Sequence, residues 1–223
     1  MTAPKKTALR ALALAVVCCG LMAVIDGYVR PSYGVKSAVK IALFFCLPLV
    51  LFRGQKPLFS RLRASKRGVF TVLGLGLGVY AVILAAYFVI ANMGWYDFSG
   101  IVGQLSENAG VHRGNFLYVS LYISFVNSLL EESFFRGWLF DSLRPLGEAA
   151  RWGLCCGLFA LYHVAMMTGW FSPVLFALAM AGLAAGAAIF HRLNERFGTL
   201  LPSWLVHMFA NFAINTIGFL LMA

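Results

Sequence analysis

Charge is what this chain has least of. Asp, Glu, Lys and Arg together make up 12% of its 223 residues, against about 25% in soluble domains. The chain is 61% hydrophobic, with a mean hydropathy of +0.83. A single water-soluble core could not bury that much apolar surface, so lipid is the solvent this composition requires. Acidic residues are scarcer still, 8 against 18 basic ones. The resulting net charge of +10 is no nucleic-acid signal, because the basic residues gather between apolar runs, where membrane topology places them. No CxxC spacing occurs among Cys18, Cys19, Cys46, Cys155 and Cys156, which argues against a zinc knuckle or a disulfide framework. All five sit in apolar stretches and are expected to be small membrane-buried side chains. The GLGLG run at 74–78 lacks both the GxGxxG spacing and a βαβ context, so it does not mark a nucleotide site.

What the chain does have is long apolar runs. A spanning helix needs about 20 apolar residues, and seven stretches qualify: about 8–28, 36–52, 68–93, 115–141, 152–169, 173–191 and 199–222. The expected fold class is all-α, a polytopic membrane helical bundle of about seven (six to eight) helices. The basic start, followed by an apolar run without a small-x-small cleavage site, reads as a retained first helix. Lys36 and Lys40 fall in the second run and are expected to snorkel toward one face. Gly74/Gly78 and Gly182/Gly186 have the GxxxG spacing that lets helix backbones approach closely. Residues 94–114 form the longest polar break, and residues 53–67 the most basic loop, which would attract anionic lipid. A cytoplasmic N-terminus puts thirteen basic residues on the inner side, from Lys5 and Lys6 to Arg192 and Arg196. The outer side keeps Arg30, Arg113 and arguably Lys36 and Lys40. That asymmetry predicts a multi-pass protein of the cell membrane with its N-terminus cytoplasmic and its C-terminus external.

Against this apolar background three runs carry ionisable groups at helical spacing. Glu132 and Arg136, four apart, share a face and can pair. Glu131 is adjacent, and Asn127 lies one turn before it. Phe159 and His163 are four apart in the next run, as are His207 and Asn211 in the last. Measured from the expected cytoplasmic ends at ~1.5 Å per residue, Glu131 lies about 15 Å deep, His163 about 18 Å and His207 about 12 Å. Three helices of alternating direction therefore bring polar groups to one level near the middle of a ~30 Å hydrocarbon core. A shielded polar cavity is expected there. A carboxylate in such a place can activate water, while histidine and an asparagine amide can transfer a proton or hold an oxyanion. Since Arg136 is the expected partner of Glu132, Glu131 is the freer base. His112 and His191, near predicted helix ends, are expected at the surface. The charges cluster in the C-terminal half only, which argues against the inverted repeats of a transporter.

The motifs EExxxR (Glu131 to Arg136), FxxxH (Phe159 to His163) and HxxxN (His207 to Asn211), with the FRG after the paired glutamates and Pro202 ahead of His207, resemble the CPBP family. This is the CAAX-protease and bacteriocin-processing (ABI) group of intramembrane endopeptidases. The resemblance covers about residues 115–222 and implies a variable transmembrane region at 1–114 followed by a catalytic helical core at 115–223. It implies a conical cavity open to the cytoplasm, with Glu131 activating water, His163 as its partner, and His207 and Asn211 on the oxyanion side. Glu132, Arg136, Phe159 and Asn127 would be supporting residues. The expected substrate is a membrane-associated peptide or protein; a leader peptide or sorting tail is admissible. No metal is expected, because Asn211 is a poor zinc ligand and a good oxyanion donor, although two histidines and a glutamate could form a zinc set. A non-enzymatic membrane immunity protein or scaffold is the alternative from another class.

Overall fold

The computed structural model describes residues 3–52, 62 and 68–223. Among these residues there are eight helices and no strand: α1 (Ala3–Val29), α2 (Tyr33–Leu51), α3 (Val69–Asn92), α4 (Ser99–Ala109), α5 (116–142), α6 (Glu148–Met167), α7 (Pro173–Phe197) and α8 (Leu201–Met222). Each of the seven expected spans is occupied by a helix. Six of these helices are long and apolar enough to cross a membrane; α5, in the remaining span, is not among the six. The basic loop expected at 53–67 lies outside the described residues apart from Leu62. The polar break at 94–114 holds the short helix α4, whose first residue Ser99 donates its backbone N–H and its hydroxyl to Asp97, each at 2.9 Å. Those two bonds hold the Asp97 carboxyl below its ordinary pKa.

The main core is built around α1 and α5. Ala8, Ala11, Ala15, Cys18 and Met22 recur at helical spacing on α1, and all are buried. Small side chains on that stripe let α1 lie close to Phe134, Phe135, Trp138, Leu139 and Leu143 of α5. Phe44 of α2 stacks on Phe134 with centroids 4.2 Å apart. The cysteines behave as expected in part: Cys18, Cys19 and Cys155 are buried, Cys156 is half-buried, and Cys46 is exposed on the outer surface of the bundle.

The glycines correct one expectation. Gly74, Gly78, Gly182 and Gly186 have open space where a Cβ would sit. The close approach is made by Gly76, halfway between the first pair, where a methyl group would run into the ring of Phe209 on α8. GxxxG spacing identified the right helix but the wrong face, because it says nothing of which side a neighbour occupies. The same α3–α8 seam is tied by the hydroxyls of Tyr80 and Thr216 at 3.1 Å.

Helix α5 departs from regular α geometry over Tyr122–Asn127 and again over Glu132–Leu139, where it widens to π-helical turns. Such turns misalign the backbone ladder and free carbonyl groups for other donors. Helix α8 uses them. Trp204 Nε1 donates to Phe125 O at 3.2 Å and to Ser128 Oγ at 3.0 Å, and Asn211 Nδ2 donates to Ile123 O at 3.2 Å. Asn215 Nδ2 donates to Ser120 O at 3.2 Å and to Ser124 Oγ at 3.0 Å. Donors seven and four residues apart on α8 thus meet acceptors along one face of α5, and this sets the register in which His207 meets the paired glutamates.

Candidate active site

The two glutamates differ in what surrounds them. Glu132 Oε1 accepts from His207 Nδ1 at 2.9 Å and lies 3.2 Å from Arg136 Nη1, so the expected i,i+4 pair forms. Both side chains of that pair are fully buried. The Arg136 guanidinium lies over the ring of Phe159 at 4.1 Å and near that of Phe190 at 5.0 Å. Phe159 therefore supports the arginine as well as flanking His163 and His207. Glu131, expected to be the freer of the two, also has a cationic partner. Its Oε1 lies 2.5 Å from Lys40 Nζ and accepts from Asn127 Nδ2 at 3.0 Å. Lys40 also donates to Asn127 Oδ1 at 2.5 Å. The lysine does not snorkel as expected: it is only 5% exposed, because a carboxylate one helix away offers more than the distant interface. Lys36, on the same helix, is 3.2 Å from Asp26.

The second oxygen of Glu131 faces the histidines. His207 Nε2 is 3.7 Å and His163 Nε2 is 4.0 Å from Glu131 Oε2. Hydrogen bonding on the far side of each ring fixes what these nitrogens offer. His163 stands where α6 breaks: its backbone N–H bonds Ala160 O at 3.0 Å, one residue short of the α-helical partner. The carbonyl of Phe159 is thereby left for His163 Nδ1, 2.8 Å away. A carbonyl only accepts, so Nδ1 carries the hydrogen. His207 Nδ1 faces the Glu132 carboxylate and likewise donates. With neutral rings, both Nε2 atoms then present lone pairs toward Glu131 Oε2. Two acceptor nitrogens at 3.7 and 4.0 Å from Glu131 Oε2, beyond hydrogen-bond distance of it, form with it a place for a group that brings hydrogens or positive charge. By residue type this is a donor set that can hold zinc, although among the described residues no group of three is placed to hold a metal ion and the Lys40 ammonium already stands against the same carboxylate.

All four principal residues are buried: Glu131, His163, His207 and Asn211. The common level expected for three of them is realised as contact around Glu131. Asn211 is one turn beyond His207, and one hydrogen of its amide goes to Ile123 O. His112 is exposed as expected. His191 is not: it is fully buried, stacked on Phe140 at 4.2 Å and next to Trp152 at 5.6 Å, because α7 continues past it to Phe197 and packs there against α5 and α6. The residue that sequence reasoning misassigned at the site was Lys40. The available signal was a second lysine one turn inside an apolar helix, where an intramembrane charge calls for a named partner. Trp204, Ser124, Ser128 and Asn215 were also passed over, and no spacing rule would have paired them.

Residues 113–213 match the family model described as Rce1-like, type II CAAX prenyl endopeptidase Rce1-like. The matched segment contains Asn127, Glu131, Glu132, Arg136, Phe159, His163, His207 and Asn211, and it leaves out Lys40. No curated protein and no solved structure matches the chain.

Proposed function

We propose, from the match of residues 113–213 to the Rce1-like CAAX endopeptidase model, that this chain is an intramembrane endopeptidase in which Glu131 activates water. The observation that carries this reading is the convergence of Glu131 Oε2 with the two acceptor Nε2 atoms. A water held among them gives one proton to Glu131 Oε2, and its oxygen adds to the substrate carbonyl carbon. The carbonyl π electrons move to the oxygen. His163, oriented by Phe159 O, relays the proton from Glu131 to the leaving amine nitrogen as the oxyanion electrons re-form the carbonyl and the C–N bond breaks, giving an amine and a new carboxylic acid terminus, which then ionises. The Asn211 amide has two hydrogens, one engaged by Ile123 O, and the other serves the developing oxyanion. His207 stands beside it, with the Glu132 carboxylate as counter-charge when Nε2 holds a proton.

The reaction is read as metal-free. Glu131 already has an ammonium counter-charge at 2.5 Å, and this opposes the approach of a divalent cation. If zinc were present, Glu131, His163 and His207 would hold it, and it would supply Lewis-acid activation of water. Substrate is a membrane-associated peptide or protein, cut in the cytoplasmic half of the bilayer. The orientation follows from the charge count, which sharpens once Lys36 and Lys40 are committed to Asp26 and Glu131 and leave the outer tally. In the domain reading, residues 1–114 are a variable membrane region and 115–223 the catalytic core.

Glu131→Gln tests the proposal. The amide oxygen still accepts from Lys40 while the base is gone; because the buried ammonium loses its counter-charge, the variant's unfolding temperature is measured alongside its activity. Purified protein in vesicles should cleave a farnesylated peptide with a CAAX tail, and the variant should not. Peptidomes of cells carrying either form extend the test beyond that substrate. Full activity in the Gln variant would end the proposal, and biological function surviving with no cleavage would favour a scaffold.

A further inference from the structure

Lys40 comes from α2, outside the family-matched segment. The lysine Nζ makes two 2.5 Å contacts, with Glu131 Oε1 and Asn127 Oδ1, and Asn127 Nδ2 closes the triangle on the same Oε1 at 3.0 Å. Phe44 and Tyr162 wall it in, their ring centroids 5.4 and 4.9 Å from Nζ. The arrangement is therefore a built site: a buried ammonium with two polar partners on one neighbouring helix and aromatic faces on the rest. Its effect on Glu131 is directional. The terminal torsion of a glutamate is broad and close to two-fold, so an unanchored carboxylate would exchange its oxygens and wander off the axis toward the histidines. With Oε1 held by two donors, Oε2 alone is turned to His163 and His207.

We propose that Lys40 is the positioning residue of this catalytic centre, an α2 ammonium that locks Oε1 of Glu131 and so assigns proton transfer to Oε2. For its kinetic consequence the inference rests on the endopeptidase reading; for the ion pair itself it does not. The centre is accordingly shared between the two halves of the chain, and a segment limited to the family match lacks one of its members.

Two measurements on the full chain decide it. The first is kinetics in vesicles with the farnesylated CAAX-tail peptide. Lys40→Met should lower kcat about 100-fold, the order expected for a misplaced catalytic group, and leave KM within about threefold; Lys40→Arg, which keeps the charge, should recover part of the loss. A Lys40→Met protein with kcat within threefold of wild type overturns the proposal. The second measurement needs no substrate. Unfolding temperatures are compared for Lys40→Met, Glu131→Gln and the double variant. An ion pair predicts that the double variant melts above Lys40→Met, since the stranded carboxylate is then removed. Strictly additive losses overturn the pairing. If wild type leaves the peptide intact, the endopeptidase reading for that substrate fails and the unfolding cycle alone decides on Lys40. If Lys40→Met does not fold, Lys40→Gln, which keeps a donor, replaces it in both arms under the same criteria.

Discussion

Replacing Glu132 by Gln should be more damaging than its place beside the catalytic glutamate suggests. Its Oε1 faces two partners, His207 Nδ1 at 2.9 Å and Arg136 Nη1 at 3.2 Å. The guanidinium is fully buried, and without the carboxylate the rings of Phe159, Phe190 and Phe135 remain against it but no counter-charge does among the described ion pairs. Removing one partner of a buried ion pair costs about 3–5 kcal/mol, whereas an arginine over an aromatic face recovers about 2 kcal/mol at best and already does so in the wild type. At roughly 2–4 °C per kcal/mol for a chain of this size, the unfolding temperature should fall by about 6–20 °C. Tryptophan fluorescence during heating in detergent reads this directly, since Trp138 lies on the same helix. Glu132→Gln combined with Arg136→Met removes both charges and should regain most of the loss. Turnover should suffer as well, because an amide no longer dictates which His207 nitrogen carries the hydrogen; the same change at an orienting carboxylate costs up to about 10⁴ in kcat. A single variant melting within about 2 °C of wild type, or a double variant no better than the single, would refute the buried-pair reasoning.

Other outcomes follow from the same geometry. His163→Ala should reduce kcat by about 10²–10⁴, the range of a general acid–base group, with unfolding little changed; wild-type turnover would remove His163 from the reaction. Gly76→Ala should lower the unfolding temperature by an amount equivalent to about 1–3 kcal/mol of overpacking, while Gly74→Ala and Gly78→Ala should be neutral or slightly stabilising through helix propensity. Equal losses at all three positions would contradict the packing of α3 on α8. Treatment with 1,10-phenanthroline should leave cleavage intact, and loss restored by added zinc would replace the metal-free reading with a metalloprotease.

The helical fold was legible because a bilayer demands continuous apolar runs, and seven of them are plain in the sequence. The pairing of Glu132 with Arg136 was legible for a similarly local reason, four-residue spacing on one helix. What escaped was every relation between helices that depends on rotation about their axes. Lys40 and Gly76 both illustrate this. Each lies on a helix correctly placed, yet the direction in which each points is fixed by packing partners far off in sequence, Glu131 and Phe209. His191 escaped for a third reason: closeness to the end of an apolar run does not mean closeness to water, because α7 continues as a helix beyond the run. The equal depth of Glu131, His163 and His207 could be inferred, because rise per residue is a property of single helices.

The widened turns of α5 make its seam with α8 lopsided in chemical demand. On the α8 side the donors are side chains, and replacing Trp204, Asn211 or Asn215 removes a bond outright. On the α5 side several acceptors are carbonyl oxygens of Ile123, Phe125 and Ser120, which every amino acid supplies. Side-chain changes at 123 and 125 thus leave these bonds in place, although Phe125 also meets the ring of Phe212 on α8 with centroids 5.8 Å apart and Ile123 packs against Phe116 and Val119. Proline and bulky insertions there, rather than polar substitutions, are what this membrane scaffold should tolerate least.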